Sequence, residues 1–227
     1  MHPYTRRLDH AILVVILAGA WDWTACTGGV KPKPAAALPA VPAIPAGAVA
    51  GEKNKRVEHM LDLLAVLGNY DRKGRNREAQ QISFEIPEGE INDYLAYSLR
   101  VLRRPGIETV TVNLLPHNEV RATAVIDFDA VGRWNPGTVP LRLQPVLSGK
   151  RAIDLEVQFE AHAGILNFTL KAAQDREHKP IPKNVAEGIL RSLGAQQPEQ
   201  YDTSGPIQLP FGLRRVWTES QMLCGTT

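Results

Sequence analysis

Residue types able to do chemistry are present in this chain but scattered. Six histidines stand at positions 2, 10, 59, 117, 162 and 178. No two have the i, i+4 spacing that would put a pair of imidazoles on one helical face around a metal. His117 and His162 fall in expected turns, where exposure to solvent is the ordinary outcome. Asp127 and Asp129 are two apart, so on a strand they share a face. Paired carboxylates do acid–base work when burial drives their pKa values apart, but the face expected for this pair is the wet one. The sequence contains no Gly-x-Ser-x-Gly elbow, P-loop or dinucleotide fingerprint. These residues point to a protein that is not an enzyme and needs no cofactor or metal.

The two cysteines, Cys26 and Cys224, leave two chemistries open. Cys26 follows an apolar run closely enough to be the lipid-bearing residue of a bacterial lipoprotein. Against that, Trp23-Thr24-Ala25-Cys26 has Trp where such signals carry Leu, and the better pattern, Leu17-Ala18-Gly19, leads into Ala20. In an oxidising compartment the two thiols could instead be joined, although both are expected in loose terminal segments.

The elements that must position any site follow from hydrophobic periodicity. Val57, Met60, Leu61, Leu64 and Leu67 recur at helical spacing, with Gly68-Asn69 as a stop. The polar stretch from Asp71 to Glu78 clusters Arg72, Lys73, Arg75 and Arg77, a solvated loop that could also meet anionic head groups. Ile82, Phe84 and Ile86 alternate as a short strand ended by Pro87. A second helix carries Ile91, Leu95, Ser98, Leu99 and Leu102 on one face, with Glu88 and Glu90 at its positive end and Arg100, Arg103 and Arg104 at the other; Pro105-Gly106 ends it.

Two antiparallel hairpins come next. In the first, Val110, Val112 and Leu114 turn through Pro116-His117-Asn118 into Val120, Ala122, Ala124, Ile126 and Phe128. In the second, Ile153, Leu155, Val157, Phe159 and Ala161 turn through His162-Ala163-Gly164 into Leu166, Phe168, Leu170 and Ala172. Between them 132–149 reads as a loop with a short piece over 139–143. Pro182 opens a third helix with Val185, Ile189 and Leu193, closed by Gly194. After the polar loop 196–205 and the segment 207–213, the chain ends on a strand over 214–223. The expected fold class is α+β, a curved antiparallel sheet of about five to seven strands packed on two or three helices.

The first fifty residues have a different character. Arg6 and Arg7 precede the apolar run Ala11–Ala18, and Ala18-Gly19-Ala20 has the small residues of a signal-peptidase site. The run is short for a bilayer, which takes about 20 apolar residues. We read 1–20 as a signal peptide, 21–51 as a Pro/Ala-rich disordered linker and 52–227 as the α+β domain. Prolines 32, 34, 39, 42 and 45 make the linker extended; at about 3.1 Å per residue, twenty such residues span about 60 Å. The formal charge is +2, and about +1 once Arg6, Arg7 and Asp9 leave with the signal. That balance gathers no nucleic acid. The expected location is periplasmic or otherwise extracytoplasmic, with peripheral membrane association open.

Ala122 and Ala124 are small residues on an otherwise bulky sheet face, and small residues let another body approach closely, either a helix or an acyl chain. Leu95, Leu99, Leu102, Ala122, Ala124, Ile126, Leu155 and Val157 are therefore the candidate lining of an apolar groove. Ile82-Ser-Phe-Glu-Ile-Pro-Glu-Gly-Glu-Ile-Asn-Asp-Tyr-Leu95 resembles the strand, acidic helix start and Ile/Leu-Asn motif of small exported bacterial proteins similar to the tubular lipid-binding superfamily, as in its YpmS-like and LmeA-like groups. Ile207-Gln-Leu-Pro-Phe-Gly-Leu-Arg-Arg-Val216 is similar to their Leu-Pro-x-Gly-Ile/Leu turn into a final strand. The resemblance covers about 80–223 and implies a half-tube of sheet wrapped on a long helix, often with an apolar groove. The helix at 54–68 lies outside that pattern, and the signal-peptidase site departs from the permanent anchor common among such proteins. The function expected is non-enzymatic binding of lipid or another apolar ligand; the alternative is a cell-envelope module that docks a protein partner and has no groove.

Overall fold

Alternation and helical spacing become α1 (Lys55–Arg72), β1 (Ser83–Pro87), α2 (Glu88–Val101), β2 (Ile107–Leu115), β3 (Glu119–Asp127), α3 (Phe128–Trp134), β4 (Lys150–His162), β5 (Ile165–Asp175), α4 (Lys183–Ala195), β6 (Ile207–Gln208), β7 (Arg215–Glu219) and β8 (Met222–Thr226). A 3-10 turn, Pro210–Gly212, lies between β6 and β7. The computed structural model describes residues 55–72, 81–101, 106–134, 147–195 and 205–227. The signal, the linker with Cys26, most of the basic cluster, Leu102 and the short piece at 139–143 lie outside these residues.

The fold is α+β. A curved five-stranded antiparallel sheet has the order β2-β3-β4-β5-β6, and a second, three-stranded sheet has the order β1-β8-β7. β2, β3 and β4 put Val112, Ala122 and Leu155 side by side, and in the next row Val110, Ala124 and Ile153. Inward residues are apolar and most outward ones polar, as expected of a sheet wet on one side. One buried cluster joins Met60 and Leu64 of α1, Tyr94 and Leu95 of α2, and the inner faces of both sheets.

Several elements depart from the expected pattern. α1 runs through Gly68-Asn69 to Arg72. An interior Gly costs about 1 kcal/mol relative to Ala, less than the packing of Met60, Leu64 and Leu67, which are at most 3% exposed. β3 stops at Asp127, and Phe128, expected on the strand, starts α3. Asp127 caps that helix, its Oδ1 accepting from the Ala130 N–H at 2.9 Å. Gly106 is required beside it. Its φ is +86°, and a Cβ there would lie 2.7 Å from the Asp127 carbonyl oxygen.

On β5 the register passes from Val157↔Leu170 to Glu156↔Ala172, so Lys171 is the extra residue of a bulge. Ala173, not Ala172, then turns inward. α4 begins after Pro182, whose carbonyl accepts from the N–H groups of Val185 and Ala186, and it continues past Gly194 to Ala195. The end of the chain is a hairpin rather than a single strand. Its two-residue turn at Ser220-Gln221 puts Gln221 at φ +59°. β8 is the central strand of its sheet, so Cys224 lies in a core and not in a loose terminal segment.

Candidate functional site

Of the eight candidate groove residues, the structure gathers Leu95, Ala122, Ala124 and Ile126 into the main buried cluster. Leu95 is wholly buried, and Ala122 and Ala124 are 4% and 8% exposed. Leu99 and Leu155 pack against that cluster half-buried. Val157 is placed elsewhere, in a small second cluster with Leu170, Ala173 and Ala186 of α4. Leu102 lies outside the described residues. At these positions the sheet and α2 meet through side chains.

An apolar cleft lies at another place, between α1, the three-stranded sheet and the 3-10 turn. Leu63, Leu67, Phe84, Phe211 and Leu223 are among its lining residues, around about 20 Å³ of free space. That volume holds about one methyl-sized group. Local strain builds it. Phe211 takes a left-handed φ of +58°, which turns its ring toward Gly68, where a Cβ would sit 3.8 Å from the ring. Phe84 lies over Gly225, two residues beyond Leu223 on the central strand. The cleft was only partly visible in the sequence: the α1 stripe and the Ile207–Leu213 segment stood out separately, and nothing local joined them.

A polar seam holds α2 and the second sheet to the edge strand β2. The Asn92 amide accepts from the Val112 N–H at 2.8 Å and donates to the Val112 carbonyl at 2.9 Å. One helical turn earlier, Glu88 accepts from the Leu114 N–H at 2.6 Å, and the Gln221 N–H reaches the Leu114 carbonyl at 3.1 Å. Across the β2–β3 turn, the Asn118 side chain accepts from the Thr218 N–H, while the Thr218 hydroxyl donates to the Leu115 carbonyl. A sheet edge left open would have exposed these donors and acceptors. Asn92 therefore closes an edge, and the Ile-Asn motif has a local structural role.

The other chemistry-bearing residues resolve as follows. Asp127 caps α3, and Asp129, in that helix rather than on the strand, accepts from the Gly149 N–H at 3.1 Å. His117 and His178 occupy exposed turn positions with positive φ, and His162 is exposed at the end of β4. His59 hydrogen-bonds Glu90 at 2.8 Å, beside an Arg56–Asp93 pair joining the same two helices. Among the described residues no group of three or more His, Cys, Asp or Glu could hold a metal ion. Cys224 is buried and unbonded, and burial foremost, then Glu219 and Glu85, pushes its thiol above the ordinary value.

A larger cleft of about 350 Å³ lies at the end of the five-stranded sheet, where β3 and β5 finish and β4 begins. Val125 and Ala152 form its half-buried floor. Lys150, Arg151, Arg176, Asp175 and Glu177 stand around it. Lys150 pairs with Glu108 at 2.5 Å, and that hydrogen bond raises the lysine above its ordinary value. Among the described residues, no helix is long and apolar enough to cross a membrane. Set against known proteins, the chain matches no family model, no curated relative and no solved structure.

Proposed function

We propose that this chain is an exported, non-enzymatic binding protein whose ligand is lipid or another apolar molecule. The observation that carries this reading is the apolar cleft under Phe211, where three elements distant in sequence present only apolar side chains to one opening. Its free space takes a single methylene-sized group, so a longer chain enters by parting α1 from the Phe211 turn. The polar contacts between α1 and α2, Arg56–Asp93 and His59–Glu90, are solvent-exposed on the α1 side and contribute little, so the packing that an entering chain must part is that of Met60, Leu64 and Leu67. Export rests on Arg6-Arg7, the apolar run and Ala18-Gly19-Ala20, and the resemblance to tubular lipid-binding proteins points the same way.

A second reading has its own support. Leu95, Ala122 and Ala124 are buried in one core, which favours an envelope module that docks a protein partner and encloses no ligand. Native mass spectrometry of protein extracted from its own envelope separates the two. Co-purifying lipid, lost in Phe211→Asp, is the result expected. A lipid-free protein that also fails to bind a fluorescent fatty acid ends the apolar-ligand reading. N-terminal sequencing of the same material should begin at or near Trp21, and an intact Met1 would overturn export.

A further inference from the structure

We infer that the free edge of β1 is a self-association surface: two copies of this chain pair their β1 strands antiparallel about a two-fold axis at Phe84 and join their three-stranded sheets into one. This goes beyond the apolar-ligand reading and does not depend on it.

β1 is an outer strand of its sheet, with β8 on one side. The direction of its main-chain groups follows from the bonds at its two ends. Ile82 exchanges hydrogen bonds with Thr227, its N–H donating to the hydroxyl and its carbonyl accepting from the N–H, each at 3.0 Å. The Glu88 N–H donates to the Gln221 carbonyl at 2.9 Å. Main-chain groups alternate in direction along a strand, so Phe84 and Ile86 also turn theirs toward β8. Ser83 and Glu85 turn theirs outward, and among the described residues no partner meets them. Both residues are exposed, and the inward side chains of Ile82 and Phe84 stay half-buried, while Leu223 on the next strand is buried. The β2 edge, by contrast, is closed by Asn92, Glu88 and Gln221.

Symmetry sets the occupant. With Phe84 opposite Phe84, Ser83 of each copy faces Glu85 of the other, and every outward N–H and C=O of these residues meets its complement. Such a contact is isologous and closes on itself. Glu85 and Pro87 are residue types that usually guard an edge. Here Glu85 faces a serine, so no like charges stand opposite, and Pro87, which lacks an N–H, falls outside the bonded residues. A shift that set Glu85 against Glu85 would oppose like charges and leave Ser83 facing Pro87. The two Phe84 rings come side by side and cover each other's open flank. One short strand from each copy makes a small contact, so the dimer is weak and concentration-dependent.

The test uses the full chain over a concentration series. Sedimentation velocity should show monomer passing into dimer, and amide hydrogen exchange read by NMR should show Ser83 and Glu85 slowing in step with it. Phe84 and Ile86, turned toward β8, should be protected at every concentration. Ser83→Lys sets a lysine opposite Glu85 of the other copy and should tighten the dimer about threefold or more, an effect lost at high salt. Ser83→Glu sets like charges there and should weaken it about threefold or more. Both variants should melt near the parent temperature, since residue 83 is exposed. A chain that stays monomeric at all concentrations overturns the pairing. So do Ser83 and Glu85 amides that are already protected in the dilute monomer or stay unprotected in a dimer, and a dimer that the two substitutions shift alike.

Discussion

The side-chain amide of Asn92 and the main chain of Val112 form a closed pair of hydrogen bonds, 2.8 and 2.9 Å long. A helix residue thus does what a neighbouring strand would do. Asn92→Leu removes both partners from a buried stretch of main chain, and an unsatisfied buried group costs about 1–3 kcal/mol. Urea denaturation should show a loss of about 2–4 kcal/mol. Asn92→Asp should be nearly as damaging, because it keeps the acceptor and sets an oxygen against the Val112 carbonyl. Asn113→Ala, on the exposed face of the same strand, should change stability by about 0.5 kcal/mol or less. Equal losses at 92 and 113 would refute the edge-closing role.

Phe84 and Gly225 are a second tightly matched pair. A Cβ on Gly225 would come within 2.3 Å of the Phe84 ring. Gly225→Ala should therefore cost about 1–3 kcal/mol or more through overpacking. In a Phe84→Leu background the same substitution should cost markedly less, giving a non-additive double-mutant cycle. An additive cycle in thermal unfolding would mean that the ring moves aside freely.

Ala124 tests the space between sheet and helix. At 8% exposed and in register with Val110 and Ile153, it should not admit a ring. Ala124→Phe is expected to lower stability by about 1–3 kcal/mol or more. A variant of unchanged melting temperature that has lost fluorescent-lipid binding would instead identify an acyl channel at this place.

Cys224 should shape the alkaline side of the stability curve. Its thiol is raised in the folded protein, chiefly by burial, above an ordinary value of 9.0. The folded state holds that proton longer than the unfolded state. The contribution is thus whole below the unfolded pKa and falls as pH rises from there toward the folded value. Between about pH 8 and 10, short of full lysine titration, Cys224→Ala should show a flatter decline in melting temperature than the parent. Parallel declines would remove Cys224 as the cause.

The hairpins were legible because their instructions are local. Alternation over Val120–Ile126 and over Ile153–Ala161 fixed which side faces inward, and Ala163-Gly164 supplies the two positive φ values of a tight two-residue turn. The second helix was readable from its acidic start and its Ile91/Leu95 stripe. The three-stranded sheet was not. β1 and β8 are joined by pairing across most of the chain, and Ser220-Gln221 has none of the Gly or Asn signals of a hairpin turn. α3 was hidden because Asp127 serves both as the last strand residue and as a helix cap. The bulge at Lys171 exchanged the roles of two adjacent alanines, which no alternation pattern can foresee. For the site, apolar spacing identified residues that share a core, while the Phe211 cleft required three separate segments to meet.

The Ile82 N–H donates to the Thr227 hydroxyl, a contact spanning 145 positions. β8 also lies between β1 and β7, so neither flanking strand has a sheet partner until β8 arrives. During synthesis the five-stranded sheet can pair from its consecutive hairpins while β1 waits. Contacts of this sequence separation form slowly, since the loop must close before they stabilise anything. Until then the apolar side of β1 and the underside of α1 stay uncovered, and that interval is when the chain is most open to a chaperone, a protease or a second copy of itself.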